Sequence, residues 1–215
     1  MPVQVKICGI TSLAAARAAA DAGADFLGFI HFAKSPRHLP LKAMAELMQV
    51  IREGGITLPL AAVTVDPDEA TLDELAATVG PDLIQLHGKE TPGRVAEIAA
   101  RGIPLIKAIS VGEAGDLAQS EAYAPHVRYL MFDAKTPKDA ALPGGLGLSF
   151  DWSLMQGYGG AKPWFLAGGL TPDNVAEALA LSGARMVDVS SGVESAPGVK
   201  SPELISRFLR AAKAL

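Results

Sequence analysis

Short runs rich in Val, Ile, Leu and Phe recur along the whole chain, opening near Val3, Asp25, Leu58, Asp82, Pro104, Val127, Lys162 and Arg185. Between most of them lie Ala/Leu/Glu-rich stretches with helical spacing of apolar positions. Leu13–Ala22 is dense in Ala, and Leu41–Glu53 carries Leu41, Met44, Leu47, Met48 and Ile51 on one face. Further helices are predicted over Asp68–Val79, Gly93–Arg101, Glu113–Ala122, Pro172–Leu181 and Pro202–Leu215. Thr171-Pro172 and Ser201-Pro202 read as a cap residue with proline at the first helical position. Gly23, Gly80, Gly102 and Gly183 stand where helices should stop. Eight strands, each followed by a helix or loop, predict parallel βα units. Eight such units in 215 residues suit an α/β fold of one compact (β/α)8 barrel, the TIM barrel, better than a doubly wound sheet. No linker or composition break divides the chain, so residues 1–215 are expected to form one domain.

Alternation within the strands assigns their faces. In the first, Val3, Val5 and Ile7 should meet the helices, while Gln4, Lys6 and Cys8 face the lumen. In the last, Val187 and Val189 face out, and Asp188 and Ser190 face in. Gln85 and His87 share a face of the fourth strand, Lys107 points inward from the fifth, and Asp133 closes the sixth. These polar residues crowd toward the C-terminal strand ends, where barrels of this kind carry their active sites. Lys6 and Lys107 need a partner if buried, and Asp188 is the obvious one. The trio reads either as a structural ion network or as a device in which lysine charge favours the Cys8 thiolate.

Composition narrows the function classes. Apolar residues make up 49% and charged residues 20%, and the net charge is −4 without any Lys/Arg block. Binding to nucleic acid is therefore not expected. No apolar stretch is long enough to span a bilayer, and strand-like residues follow directly on Met1-Pro2, so a cytoplasmic protein without membrane contact is expected. One cysteine and four scattered histidines provide no metal-ligand spacing.

The candidate chemistry lies at the barrel mouth. Cys8 ends the first strand and Asp133 the sixth, on opposing walls, the layout for a base and an acid acting on different atoms of one substrate. Ala167-Gly168-Gly169-Leu170 and Ser190-Ser191-Gly192-Val193 follow the seventh and eighth strands, the usual place for a phosphate cradle in this fold. Neither is a nucleotide fingerprint, which favours a sugar phosphate. Arg37, held by Pro36 in the loop after the second strand, suits a carboxylate or a second anion. The loop Ala134–Ser149 is long for a barrel connection, as lids often are.

Val5-Lys6-Ile7-Cys8-Gly9-Ile10-Thr11, Gly28-Phe29 leading to Ser35-Pro36-Arg37, Gln85-Leu86-His87-Gly88, Ala167-Gly168-Gly169-Leu170 and Asp188–Glu194 together resemble the phosphoribosylanthranilate isomerases of tryptophan biosynthesis, in order and over nearly the whole chain. The resemblance implies an Amadori rearrangement of N-(5-phosphoribosyl)anthranilate without any cofactor or metal. Asp133 would be the general acid and Cys8 the general base. It also implies that Arg37 binds the anthranilate carboxylate, with Gln85, His87, Asp188, Ser190, Ser191, Gly168, Gly169 and Gly192 around the rest of the phosphorylated substrate. A monomer or a homodimer is compatible with it. The chain departs from the family in the loop, where Leu146 replaces a hydroxyl residue in Gly144-Gly145-Leu146-Gly147 and Leu148 a polar one. An altered closure is expected there. Other sugar-phosphate enzymes of this architecture would want paired carboxylates or metal-binding histidines at the strand ends. A barrel that binds a sugar phosphate without turning it over is the remaining alternative.

Overall fold

The computed structural model describes residues 2–135 and 149–214. Eight parallel strands close into a barrel in sequence order: β1 (Gln4–Cys8), β2 (Phe26–His31), β3 (Leu60–Thr64), β4 (Leu83–Leu86), β5 (Leu105–Val111), β6 (Tyr129–Ala134), β7 (Trp164–Leu166) and β8 (Met186–Val189). The ring shuts where β1 pairs with β8, with Lys6 opposite Asp188 and Ile7 opposite Val189. The helices wrap outside: α1 (Leu13–Asp21), α2 (Leu41–Glu53), α3 (Glu69–Glu74), α4 (Pro92–Ala99), α5 (Ser120–Tyr123), α6 (Val175–Ser182) and α7 (Pro202–Lys213).

Alternation sorts the apolar residues into two cores. Val5, Ile7, Val187 and Val189 pack outward against buried helix residues such as Ala16, Met44 and Phe208, as their spacing predicts. A second cluster fills the lumen with Phe26, Ala61, Leu83, Ile106, Met131, Phe165 and Met186. There Phe26, Tyr129 and Phe165 meet edge to face with centroids 5.3–5.9 Å apart. This plug is dry, so the polar lumen residues occupy the level above it, facing the mouth. Gln4, expected to face the lumen, is exposed at the opposite end.

Several helices depart from expectation for local reasons. The predicted Asp68–Val79 helix is α3 followed by a π turn over Leu75–Val79, and it ends on Gly80 at φ 57°. Glu113–Ala122 is mostly a 3₁₀ segment, Ala114–Gln119, and only its end is α5. Gly115 lies inside it, and a Glu113/Asp116 capping box holds its start. Thr171-Pro172 does not open α6. Asn174 accepts from the Thr171 N–H and donates to the Gly169 carbonyl, so Pro172 sits in a turn and the helix starts at Val175. Ser201 does cap α7, accepting from the Leu204 N–H at 3.2 Å with Pro202 in the first turn.

A short antiparallel pair, β9 (Glu194–Ala196) and β10 (Val199–Lys200), follows β8 and is not foreseen from the pattern. No described helix is long and apolar enough to cross a membrane.

Candidate active site

On the β1 side, Lys6 is fully buried and points across the lumen, donating to Asp188 Oδ1 at 2.7 Å and to Gln85 Oε1 at 2.8 Å. Cys8 stands one pleat above it. Gly28 on β2 makes room for both: a Cβ there would lie 2.9 Å from Cys8 Sγ and 3.0 Å from Lys6 Nζ. Burial pushes the Cys8 thiol above its usual range; Lys6 and Lys200 pull it down, and Asp188 opposes them. The same burial works against the Lys6 ammonium, but Asp188 and Cys8 outweigh it and hold its pKa above the ordinary lysine value. Lysine charge does favour the thiolate here, but burial, helped by Asp188, outweighs it in the resting protein.

On the opposite wall, Asp133 is the next-to-last residue of β6, not the closing one as the sequence pattern predicts. Its Oδ2 lies 3.1 Å from His87 Nε2, and its Oδ1 accepts from the Ala134 N–H at 2.8 Å. His87 Nδ1 faces Gln85 Nε2 at 2.8 Å. Gly168 sits against this group, since a Cβ on it would come 3.0 Å from Asp133 Oδ1.

The loops after β7 and β8 meet each other. A Cβ on Gly192 would lie 1.9 Å from the Leu170 carbonyl oxygen, so only glycine permits this contact. Gly168 and Gly169 both take positive φ, at 88° and 63°. Arg37 comes in from the β2 loop, its stem packed over Gly9 beside Ser190 Oγ. Its Nε and Nη2 each donate to one Glu194 oxygen at 2.7 Å. Glu194 also accepts from Lys200 Nζ at 2.7 Å, and Lys200 reaches the Ser190 carbonyl at 2.9 Å. This latch joins the β2 loop to the β9–β10 hairpin above Cys8. Burial opposes the Glu194 charge, but Arg37 and Lys200 prevail and hold its carboxyl below the usual range.

The structure brings Cys8, Gln85, His87, Asp133, Asp188, Gly168, Gly169, Arg37 and Ser190 to one mouth, with Ser191 and Gly192 in the adjoining loop. Two expectations need correction. Lys107 does not join Lys6 and Asp188; it pairs with buried Glu90 at 2.7 Å and donates to the Gly88 carbonyl at 2.9 Å. Lys107 does not point inward: its neighbours Ile106 and Ala108 face the lumen, so alternation puts it on the outward face with Leu105 and Ile109, where its ammonium lies 5.6 Å from the centre of the Tyr123 ring. Gln85, expected to touch substrate, is 1% exposed, and its amide is engaged by Lys6, His87 and Met131. Glu90, Glu194 and Lys200 were missed by sequence reasoning. Pro197-Gly198 between short polar segments is a hairpin signal that would have found the last two. The lid positions Gly144, Gly145, Leu146, Gly147 and Leu148 lie outside the described residues. Among the described residues, no cluster of His, Cys, Asp and Glu has the arrangement of a metal site.

A model of the N-(5'-phosphoribosyl)anthranilate (PRA) isomerase family matches residues 5–211. The chain belongs to this family. It is 54% identical over 212 residues to the N-(5'-phosphoribosyl)anthranilate isomerase of Caulobacter sp. (strain K31), covering 98% of this chain and 99% of that one. The phosphoribosyl anthranilate isomerase of Thermotoga maritima superposes with a TM-score of 0.86 at 33% identity, covering 99% of this chain and 100% of that one. A solved complex of a phosphoribosyl anthranilate isomerase with reduced 1-(o-carboxyphenylamino)-1-deoxyribulose 5-phosphate matches at 0.84 and 32%, with 99% of this chain and 100% of that one covered. The PRA isomerase family thus supplies the barrel, and this chain's own residues supply the mouth described above.

Proposed function

We propose that this barrel isomerises N-(5'-phosphoribosyl)anthranilate to 1-(2-carboxyphenylamino)-1-deoxyribulose 5-phosphate in tryptophan biosynthesis, with Asp133 as general acid and Cys8 as general base. One observation carries the assignment: a carboxyl near the C-terminal end of β6 and a thiol at that of β1 stand on facing walls, above an apolar floor and beside a glycine-built anion cradle. Asp133 gives its proton to the ribose ring oxygen as the C1′–O bond breaks and the amine nitrogen forms an iminium. Cys8 as thiolate then takes the C2′ proton, and the electron pair flows into the iminium to leave an enolamine. The enolamine tautomerises to the ketone, C1′ gaining a proton as the C2′ hydroxyl loses one. Proton exchange with water restores both side chains. The iminium brings a positive charge beside the buried thiol, which favours the thiolate at the step that needs it.

Arg37 takes the anthranilate carboxylate. Glu194 holds one edge of its guanidinium, so the remaining N–H groups are oriented rather than free to swing. The loops at Gly168–Gly169 and Ser190–Gly192 take the phosphate, and Asp188 meets a ribose hydroxyl with the oxygen that Lys6 does not use. The reaction relocates protons within one molecule and calls for no redox cofactor. We read residues 1–215 as one barrel domain, cytoplasmic and monomeric or homodimeric, whose partner is this small phosphorylated substrate.

The test is loss of anthranilate-type fluorescence on freshly made substrate. In Cys8→Ser and Asp133→Asn, kcat should fall by about 10²–10⁴, the usual worth of a proton-transfer group. Affinity for the reduced product analogue should stay within about threefold, since neither change removes ground-state binding. Analogue binding by the unaltered protein without any turnover would instead identify a barrel that only binds.

A further inference from the structure

A hydrogen-bonded line crosses the barrel from the base's side to the acid's side: Lys6 Nζ to Gln85 Oε1, Gln85 Nε2 to His87 Nδ1, His87 Nε2 to Asp133 Oδ2. Each link dictates the next. An ammonium only donates, so the Gln85 oxygen must face Lys6. The amide nitrogen then faces His87 Nδ1 at 2.8 Å and Met131 Sδ at 3.4 Å, and a flipped amide would set its NH2 against the Lys6 ammonium and lose both the Lys6 and the Met131 contacts. An amide N–H pointing at Nδ1 makes that nitrogen an acceptor, which leaves the imidazole proton on Nε2. That proton points at Asp133. With the Ala134 N–H on the other oxygen, the carboxyl is met by one donor on each side.

We infer that Gln85 and His87 are positioning residues for Asp133: Lys6, acting through the locked Gln85 amide, holds His87 as its Nε2–H tautomer so that the ring donates to the Asp133 carboxyl. The inference rests on Asp133 being the acid. Two fixed donors stabilise the carboxylate left behind when Asp133 releases its proton, and they need no rearrangement at that moment. Once Asp133 has released its proton, the other tautomer would leave an Nε2 lone pair facing a carboxylate oxygen at 3.1 Å, which is repulsive. The line also explains why a lysine and a glutamine lie in the centre of the barrel: one sets the orientation of the other.

The readout is the long-range ¹H–¹⁵N spectrum of histidine-labelled protein, with His87 assigned through His87→Gln. The two ring nitrogens of a single neutral tautomer have widely separated shifts. The unaltered protein should show His87 protonated on Nε2 and bare on Nδ1. Gln85→Glu places an acceptor against Nδ1 and should turn that nitrogen into an N–H, while Gln85→Met should leave a tautomer mixture. In both, kcat should drop roughly 10–100-fold with KM changed less than about threefold, part of the worth of a general acid. His87→Leu should lose about 100-fold, and His87→Gln, whose amide donates from nearly the same point, should recover to within about tenfold of the unaltered enzyme. A His87 proton on Nδ1 in the unaltered protein overturns the inference and leaves the assignment of Asp133 untouched. So does an unchanged kcat in both Gln85 variants. Full activity in Asp133→Asn would remove the acid and, with it, any catalytic role for the line, even where the tautomer is as stated.

Discussion

Cys8 illustrates what residue type and strand position together can and cannot decide. Its place at the end of β1, facing the lumen, follows from alternation with Val5 and Ile7, and the structure agrees. Its protonation does not follow, because it depends on Lys6, Asp188 and Lys200, which come from three distant stretches of chain. Burial dominates, so the thiol of the free protein is protonated at neutral pH. The thiolate fraction grows about tenfold per pH unit below the pKa. We therefore expect log kcat/KM to rise with slope near one from about pH 7 to beyond 8.5, the ordinary thiol value. Lys6→Met, which removes the charge that lowers the pKa, should move the rise to higher pH. A plateau reached already by about pH 7.5 would contradict this account of the free protein.

At the scale of elements, the β9–β10 hairpin decides how Arg37 is used. Arg37, Glu194 and Lys200 have side chains no more than 5% exposed, so two cations share one buried carboxylate. Removing that carboxylate strands both. Glu194→Gln should cost about 3–5 kcal/mol, the usual penalty for breaking a buried pair. For a chain of this size that corresponds to a fall in melting temperature of roughly 6–20 °C. The pH dependence has a definite sign. The folded Glu194 pKa lies below its unfolded value, so its contribution is present above the ordinary carboxylate range and is lost as pH falls through the folded pKa. Melting temperatures from pH 7 down to pH 3 should therefore fall less steeply in Glu194→Gln than in the unaltered protein. KM should rise in the variant, because Arg37 loses the contact that orients it. Equal acid sensitivity in the two proteins would remove the latch from the account.

At the scale of the molecule, the barrel is unevenly sealed. Between β5 and β6 the pairing runs from Ile106 opposite Tyr129 to Val111 opposite Ala134. Between β7 and β8, among the described residues, it runs through Leu166 and Val187 alone. The short seam carries the phosphate loops, where the chain leaves the ladder early at Ala167-Gly168. Amide hydrogen exchange should thus be faster in β7 than in β5 and β6, and a bound product analogue should slow it most at Gly168–Leu170 and Ser190–Gly192. Uniform protection around the ring, with or without the analogue, would refute the uneven seal.

The sequence by itself determined the barrel, the faces of its strands apart from Lys107, and most of the residues at its mouth, though not Glu194 and Lys200. Periodicity and glycine stops are local properties, written within a few neighbouring residues: Val5 and Ile7 declare one face, Lys6 and Cys8 the other, and Gly80 and Gly183 end their helices at positive φ. Tertiary structure decided the pairings. Lys6 chose Asp188 and Gln85 while Lys107 chose Glu90, and Arg37 was claimed by Glu194 from 157 residues away. A charged group in a dry interior takes whichever opposite charge the closed ring brings within about 3 Å, and the ring closes only when all eight strands are in register.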